Sequence, residues 1–356
     1  MSSPKVFITG ATGYIGGSFL SKLLTLVDPA TITTLVRSED KAEKLRTLGV
    51  KTVVGSYKDV DVLADAASKA DVVLTFVDAD DHVAAQAILD GMKKKHEFDG
   101  SVPALIHTSG TGVIQDNALG LHNNYPVFSD LDLDRFASIP EEAIHRKTDL
   151  LILDADKQGY IRSYLVLPPT VYGLATGVVA DLGIQNIHSV QFPAIVKTSM
   201  FRKQGGMIGE GVNVWHNVSL SDSAYILPFP SFLIDPDRTQ AADFFVLLFG
   251  TVVKKPDTAH GAEGYYFLEN GEHSLREVAT EISKALVELG ISTNPEPSSY
   301  TEEEKKSFFG PLWPFLGTNA RVRADRSRAL GWKPVDGKDK MVASLKAEII
   351  SFLPPA

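Results

Sequence analysis

Three glycines are the first residues in the chain with a chemical use. The run VFITGATGYIGG spaces Gly10, Gly13 and Gly16 three apart, directly after an apolar stretch and at the start of a segment with helical periodicity. The first glycine permits a tight turn, the second lets backbone approach a pyrophosphate, and the third allows close packing of helix on strand. The anion would then rest on unpaired N–H groups at the helix N-terminus, so Thr12, Tyr14 and Ile15 belong to the same cradle. Arg37 lies 21 positions beyond Gly16, followed by Ser38, at the end of the β-branched run TITTLV. In a dinucleotide unit this position reads the adenosine ribose. A carboxylate there accepts from a bare 2′-hydroxyl, whereas a guanidinium pairs with a 2′-phosphate. Arg37, with Ser38 adding a hydrogen bond, predicts NADP(H) rather than NAD(H).

A second set of residues could move a proton. His145 and Asp149 are four apart in a segment read as helical, so both project from one face. A carboxylate within reach of an imidazole fixes its tautomer and suits it to general acid–base work. Ser109 follows the apolar run PALIHT and could hydrogen-bond a substrate oxygen, with Thr111 as the alternative. Lys147 is a candidate cofactor contact on a different face.

These residues need a scaffold that brings them to one edge. Apolar runs at Lys5–Thr9, Thr31–Val36, Lys51–Val54, Asp71–Val77, Pro103–Thr108 and Tyr160–Leu167 read as strands. Amphipathic segments alternate with them at Gly10–Val27, Glu39–Leu48, Asp59–Ala70, Asp81–Lys95 and Glu141–Lys157. Strands alternating with helices imply an α/β fold with a doubly wound parallel sheet covered on both faces. In such a sheet ligands bind beyond the carboxyl ends of the strands, where the glycines, Arg37 and Ser109 all fall. After Gly173 the rhythm is lost. A helix is expected over Phe192–Lys203, a short helical stretch from Asp222, a strand at Gly264–Leu268 and an amphipathic helix over Ser274–Leu289.

Several segments together resemble the extended short-chain dehydrogenases/reductases, in particular the atypical epimerase-like and NmrA-like members common in fungi. They are TGATGYIGG, IHTSGTG, PPTVYG, VWHNVSLSDSAY and SRALGWKP, and they span nearly the whole chain. The resemblance implies a Rossmann domain that holds NAD(P) and a smaller C-terminal substrate-binding lobe. We place the first at residues 1–173, with later contributions from about 214–228 and 262–270, and the second mainly at 174–356. The resemblance also implies Phe76 and Val77 near the adenosine or its linker, Thr108 and Ser109 close to the nicotinamide ribose, and Pro168 beside the nicotinamide ring. The family usually carries a catalytic Tyr-x-x-x-Lys on the helix after the fifth strand. This chain has none there; the aligned stretch puts His145 at the Tyr position and Asp149 at the Lys position. The pair is either a substitute proton donor with its partner or an ordinary helix pair filling a lost site.

Composition bounds the remaining possibilities. Of 356 residues, 44% are hydrophobic and 22% charged, which is globular composition. The net charge of −9 argues against broad binding to nucleic acid. The absence of cysteine excludes disulfides, thiolate catalysis and Cys-ligated metals. The longest apolar run, Phe244–Val253, has half the length a membrane span needs and reads as core; no signal-peptide core follows MSSPK. The expectation is a cytoplasmic monomer or homodimer whose partner is a small-molecule substrate, with no nucleic acid and no membrane. The acidic stretches Phe76–Asp81 and Ser129–Asp134 lack the glycine turn and terminal glutamate of a calcium loop and read as solvated loop charge, so no metal is expected. Lys93–Lys95 reads as a solvated helix end, and His216 and Tyr172 as structural residues. The aromatic segment Phe308–Leu316 reads as interdomain packing or, alternatively, a lid over an apolar substrate. Three functions fit: an NADPH-dependent reductase of a carbonyl or imine in an apolar or aromatic molecule, an NmrA-like NADP-sensing regulator without catalysis, and a redox-neutral epimerase or cyclase.

Overall fold

The four residues VFIT of β1 (Val6–Thr9) are all buried, and the rest of the sheet is built around them. Their neighbours are β2 (Ile32–Val36) and β4 (Val72–Thr75), paired in parallel with Val6 opposite Ile32 on one side and Val72 on the other. The computed structural model describes residues 3–220 and 241–354. The seven-stranded sheet runs Tyr265–Phe267, Arg162–Leu167, β5 (Ala104–Thr108), β4, β1, β2, β3 (Lys51–Val54). Every described pairing in it is parallel. Runs without polar alternation, such as VVLT in β4, are buried throughout because helices cover both faces. The chain leaves β1 toward β2 and β3, then returns to β4 on the other side, so the strand order reverses between β1 and β4. A crevice opens at that point.

The helices are α1 (Tyr14–Leu23), α2 (Glu39–Arg46), α3 (Val60–Ala67), α4 (His82–Asp99), α5 (Leu133–Ala137) and α6 (Arg146–Lys157). The apolar run read as core is the helix Ala241–Lys254. It packs on α1 through the ring trio Phe19, Phe76 and Phe245, whose centroids lie 4.9–6.4 Å apart, and through Lys22 and Asp243, 2.7 Å apart at the rim. No helix among the described residues is long and apolar enough to cross a membrane.

Beyond residue 170 a second hydrophobic cluster forms around Phe192, Val196, Val278, Ile282 and Leu345. The helix Leu275–Glu288 starts with Ser274 accepting from the Glu277 amide while the Glu277 carboxylate accepts from that of Ser274. The helix read at Phe192–Lys203 runs Gln191–Arg202. A separate three-stranded sheet joins Thr170–Tyr172, Val214–Ser219 and Glu272–Ser274, so residues 214–219 pair away from the large sheet. Tyr265–Phe267 completes the large sheet at its edge. The helical stretch expected from Asp222, and residues 221–228 of the proposed later contribution, lie outside the described residues.

Candidate dinucleotide crevice and its neighbouring polar cluster

The crevice between β1 and β4 holds about 490 Å³. Gly10 has φ +76°, and a Cβ there would sit 2.5 Å from the Phe76 carbonyl oxygen. At Gly16 a Cβ would sit 2.3 Å from the Gly10 carbonyl oxygen, and at Gly13 3.0 Å from it. Side chains at these positions would fill the cradle with carbon. Gly13 begins α1 without a side-chain cap. Its own amide donates to Gly10 at 2.8 Å, and the amides of Tyr14, Ile15 and Gly16 have no partner among the described residues. The residues present therefore fit a pyrophosphate. The Thr12 carbonyl accepts from the Asn186 amide at 2.9 Å. The Tyr14 hydroxyl donates to the Gly173 carbonyl, and burial holds its pKa well above the usual phenol range.

At the far end of the crevice stand Arg37 and, one turn into α2, Lys41. No ion pair or hydrogen bond engages either side chain among the described residues. Ser38 caps α2 by its backbone, with no side-chain bond. Phe76 and Val77 line the crevice from the end of β4; the Phe76 ring belongs to the core trio, so its carbonyl is what closes on Gly10. Gly183–Asn186 lines the opposite wall. Gln185 ties it down, donating to the Tyr14 carbonyl and to Ser18 Oγ, both at 3.0 Å. The sequence reading missed Lys41 and this wall; the i+4 spacing of Arg37 and Lys41 was the available signal for the first.

One strand further along, past the end of β5, the polar cluster appears. The Ser109 amide donates to Val166 at 2.9 Å and its hydroxyl to Asp149 Oδ2 at 3.0 Å. Asp149 is fully buried, and its Oδ1 has no partner. Burial pushes its pKa up to about 7, against the opposing pull of Ser109 and Arg146. Thr108 and Thr111 carry buried hydroxyls without partners. Pro168 is buried, and its carbonyl accepts from the Thr111 amide at 3.1 Å.

His145 departs from expectation. The segment from Glu141 is not helical; α6 starts at Arg146 with His145 as its N-cap, in a left-handed conformation with φ +68°. The i,i+4 facing that would join His145 to Asp149 is therefore broken. Asp80 takes the place of Asp149. Its Oδ1 accepts from the His145 amide at 2.8 Å and lies 3.0 Å from Nδ1. Nε2 points toward Gly110, 3.0 Å from where a Cβ there would stand. Ile144, His145 Nε2 and the Phe315 ring surround Gly112, each 3.1–3.5 Å from where its Cβ would stand. Phe315 in turn packs on Trp215, with centroids 5.1 Å apart. The aromatic segment thus packs within the C-terminal cluster and also supplies a wall beside His145. Lys147 is exposed on the first turn of α6.

The acidic stretches are solvated charge only in part: Asp78, Asp80 and Asp134 are exposed, but several of the carboxylates hold structure. In the first, Asp78 lines the crevice, Asp80 holds His145, and Asp81 caps α4 at 2.9 Å from the Ala84 amide. In the second, Asp130 is fully buried and accepts from the amides of Phe267 and Arg326; burial raises its pKa to about 6. No group of three metal-ligating side chains occurs among the described residues. His216 is structural, accepting at Nδ1 from the Val322 amide. His107, also missed, is buried on β5 with Nδ1 2.7 Å from Thr75 Oγ1, and burial lowers its pKa to about 4.

Comparison with known proteins agrees with this geometry. A family model described as NAD(P)H-binding matches residues 10–128. The chain is 30% identical over 342 residues to the oxidase ucsJ of an Acremonium species, covering 93% of each. It is 26% identical over 178 residues to a 4-hydroxy-2-methyl-3-oxo-4-farnesyl-3,4-dihydroquinoline-1-oxide ketoreductase of Stigmatella aurantiaca, covering 48% of this chain and 51% of the relative. The fold superposes on UDP-glucose 4-epimerase from Thermotoga maritima with a TM-score of 0.60 at 13% identity, over 98% of each chain. The glycine cradle on a seven-stranded parallel sheet and the likeness to the Acremonium oxidase over 93% of each chain lead to one assignment: the chain belongs to the extended short-chain dehydrogenases/reductases, with the fold shared by the epimerases and dehydratases.

Proposed function

We propose that the chain is an NADPH-dependent reductase of a carbonyl or imine group in an apolar or aromatic small molecule. The observation that carries this reading is the convergence of two polar groups on Gly110. Ser109 adjoins it, with its hydroxyl on a buried carboxyl, and His145 presents Nε2 to it. This point lies one strand over from Phe76 and Val77, which line the dinucleotide crevice.

The amides of Tyr14, Ile15 and Gly16 would hold the pyrophosphate, and Arg37 with Lys41 the 2′-phosphate. The bound cofactor supplies a hydride to the acceptor carbon. The chain's residues handle the proton and the fit. With Asp149 ionised, Ser109 donates to it. With Asp149 protonated, the carboxyl donates to the Ser109 oxygen, and the Ser109 hydrogen is free to turn to the acceptor atom. His145 Nε2 then delivers a proton to the oxygen or nitrogen that has gained the electron pair. Phe315 and Ile144 offer an apolar wall; the ketoreductase name of one relative supports reduction as the chemistry.

The test is to follow NADPH absorbance with a panel of aromatic and aliphatic ketones, aldehydes and cyclic imines. Tight NADPH binding without turnover on any acceptor would overturn the reductase reading and favour the NADP-sensing regulator. Undiminished turnover in His145→Ala would remove the role of His145. One observation favours a redox-neutral epimerase or cyclase as the second reading: the wall Gly183–Asn186 is bonded across the cradle, and a cofactor regenerated in place has no need to leave. That reading expects bound nucleotide to survive many turnovers without net oxidation.

A further inference from the structure

We infer that Asp80 is the positioning residue of His145: it commits the imidazole to the Nδ1–H tautomer and thereby makes Nε2 the nitrogen that exchanges a proton over Gly110. The inference rests on the reductase reading for its catalytic consequence, but its geometry stands without it. Asp80 comes from the loop after β4 and His145 from the start of α6, 65 residues apart in sequence. A single carboxylate oxygen, Oδ1, receives two contacts from one residue: the His145 backbone amide at 2.8 Å and Nδ1 at 3.0 Å.

An ionised carboxylate only accepts, so Nδ1 must carry the hydrogen. Nε2 is then a lone-pair acceptor in the neutral ring and a donor in the imidazolium. The bond to the His145 amide also secures the left-handed φ of +68°, a conformation that non-glycine residues adopt only when the surroundings impose it. Backbone and ring are locked by the same oxygen, and Nε2 is left facing Gly110, where a Cβ would meet it at 3.0 Å.

The chemistry balances. Hydride from the reduced nicotinamide forms the new C–H bond, and the π pair of the C=O or C=N group moves to its heteroatom. The Nε2–H bond breaks, its proton joins the heteroatom, and imidazolium becomes neutral imidazole. Nδ1 keeps its hydrogen throughout, so Asp80 favours the product state of the ring as well as the reactant state. The other ionisable groups around the imidazole are His107 on β5, which feels both Asp80 and His145, and Asp149 and Arg146 on α6. The guanidinium of Arg146 is engaged by the Tyr265 hydroxyl and the Phe136 carbonyl. Asp149 is engaged by Ser109. Among the described residues Asp80 alone has a carboxylate oxygen within hydrogen-bond reach of the His145 ring.

The primary test needs no substrate. Side-chain 15N NMR of the full-length protein, with the signal of His145 among nine histidines assigned through His145→Gln, reports which ring nitrogen is protonated. The Nδ1–H form in the unmutated protein, shifting toward Nε2–H in Asp80→Ala and restored in Asp80→Asn, is the expected pattern, because the asparagine carbonyl still accepts both bonds. An Nε2–H ring in the unmutated protein overturns the inference even if the alanine variant does not fold. So does an unchanged Nδ1–H ring in Asp80→Ala.

The second readout is kinetic. Asp80→Ala should lose about 10²- to 10⁴-fold in kcat, the range for a misdirected general acid, with NADPH affinity and the acceptor KM within about twofold. Asp80→Asn should recover at least tenfold of that loss. Loss carried by KM alone, or no difference between the alanine and asparagine variants, would reduce Asp80 to a structural contact. An unmutated protein that turns over nothing while showing the Nδ1–H pattern would defeat the reductase reading and leave the assignment of Asp80 intact.

Discussion

Arg37→Ala asks whether Arg37, just past β2, and Lys41, in the first turn of α2, both without an ion-pair partner among the described residues, read a phosphate. Arg37 stands at the crevice and is exposed to solvent. Two unit charges about 4 Å apart interact by about 1 kcal/mol in bulk water and about 4 kcal/mol near a protein surface. A charge-assisted hydrogen bond contributes about 1.5–3 kcal/mol net. Solvent screening of the exposed guanidinium places the expectation at the low end of that range, about 1.5–2 kcal/mol, or about 10- to 30-fold weaker NADPH binding. NADH has no 2′-phosphate and should change by less than about twofold. Lys41→Ala should act in the same direction with a smaller effect, since a lysine lacks the planar fork. Calorimetric titration of both nucleotides against the unmutated protein, the two single variants and the double variant measures all eight affinities. The penalty should also shrink as salt rises, because the pair is open to counterions. Equal losses for NADPH and NADH, or none for either, would refute the argument that these side chains recognise the phosphate.

Gly10→Ala should destabilise the protein and abolish nucleotide binding together. A left-handed φ costs a β-carbon about 1–2 kcal/mol, and its 2.5 Å approach to the Phe76 carbonyl forces the β1 and β4 ends apart; thermal unfolding with and without NADPH checks both. Asp149→Asn should flatten the pH dependence of stability. The folded pKa of about 7 exceeds the ordinary 3.8, so the favourable contribution of the protonated carboxyl is complete below about pH 4. It is lost as pH rises through 7, on the order of 4 kcal/mol for the full interval. Denaturant midpoints at pH 5 and pH 8 should therefore diverge more in the unmutated protein than in the asparagine variant. Phe315→Ala should raise the KM of bulky aromatic acceptors several-fold while leaving NADPH affinity unchanged; a matched fall in nucleotide binding would place Phe315 in the cofactor site instead.

The cradle was legible in the sequence because its chemistry is local. Gly10, Gly13 and Gly16 fall within seven residues, from the end of β1 into α1, and the alternation of apolar and amphipathic runs sets the strands on either side. Ser274 announced the start of its helix for the same reason, with its capping partner three residues away. What was not legible depends on partners far along the chain. Helical periodicity over Glu141–Lys157 places His145 and Asp149 on one face, and nothing nearby says that Asp80 will take the His145 amide and ring and delay the helix to Arg146. Asp130 reads as loop charge until the Arg326 amide, 196 residues away, is seen bonded to it. GYYFL reads correctly as a strand, but its neighbour Arg162–Leu167 could not be named from spacing.

That edge strand bears on how the protein is made. Tyr265–Phe267 pairs with Arg162–Leu167 about a hundred residues after the latter has left the ribosome. During that interval a growing chain carries a hydrogen-bonding margin with nothing beside it, the kind of surface on which nascent polypeptides pair with one another. Fragments cut near Gly173 to isolate the nucleotide-binding half would keep this margin open permanently. A soluble minimal version would have to graft the 265–267 segment back, or cap the margin with charge.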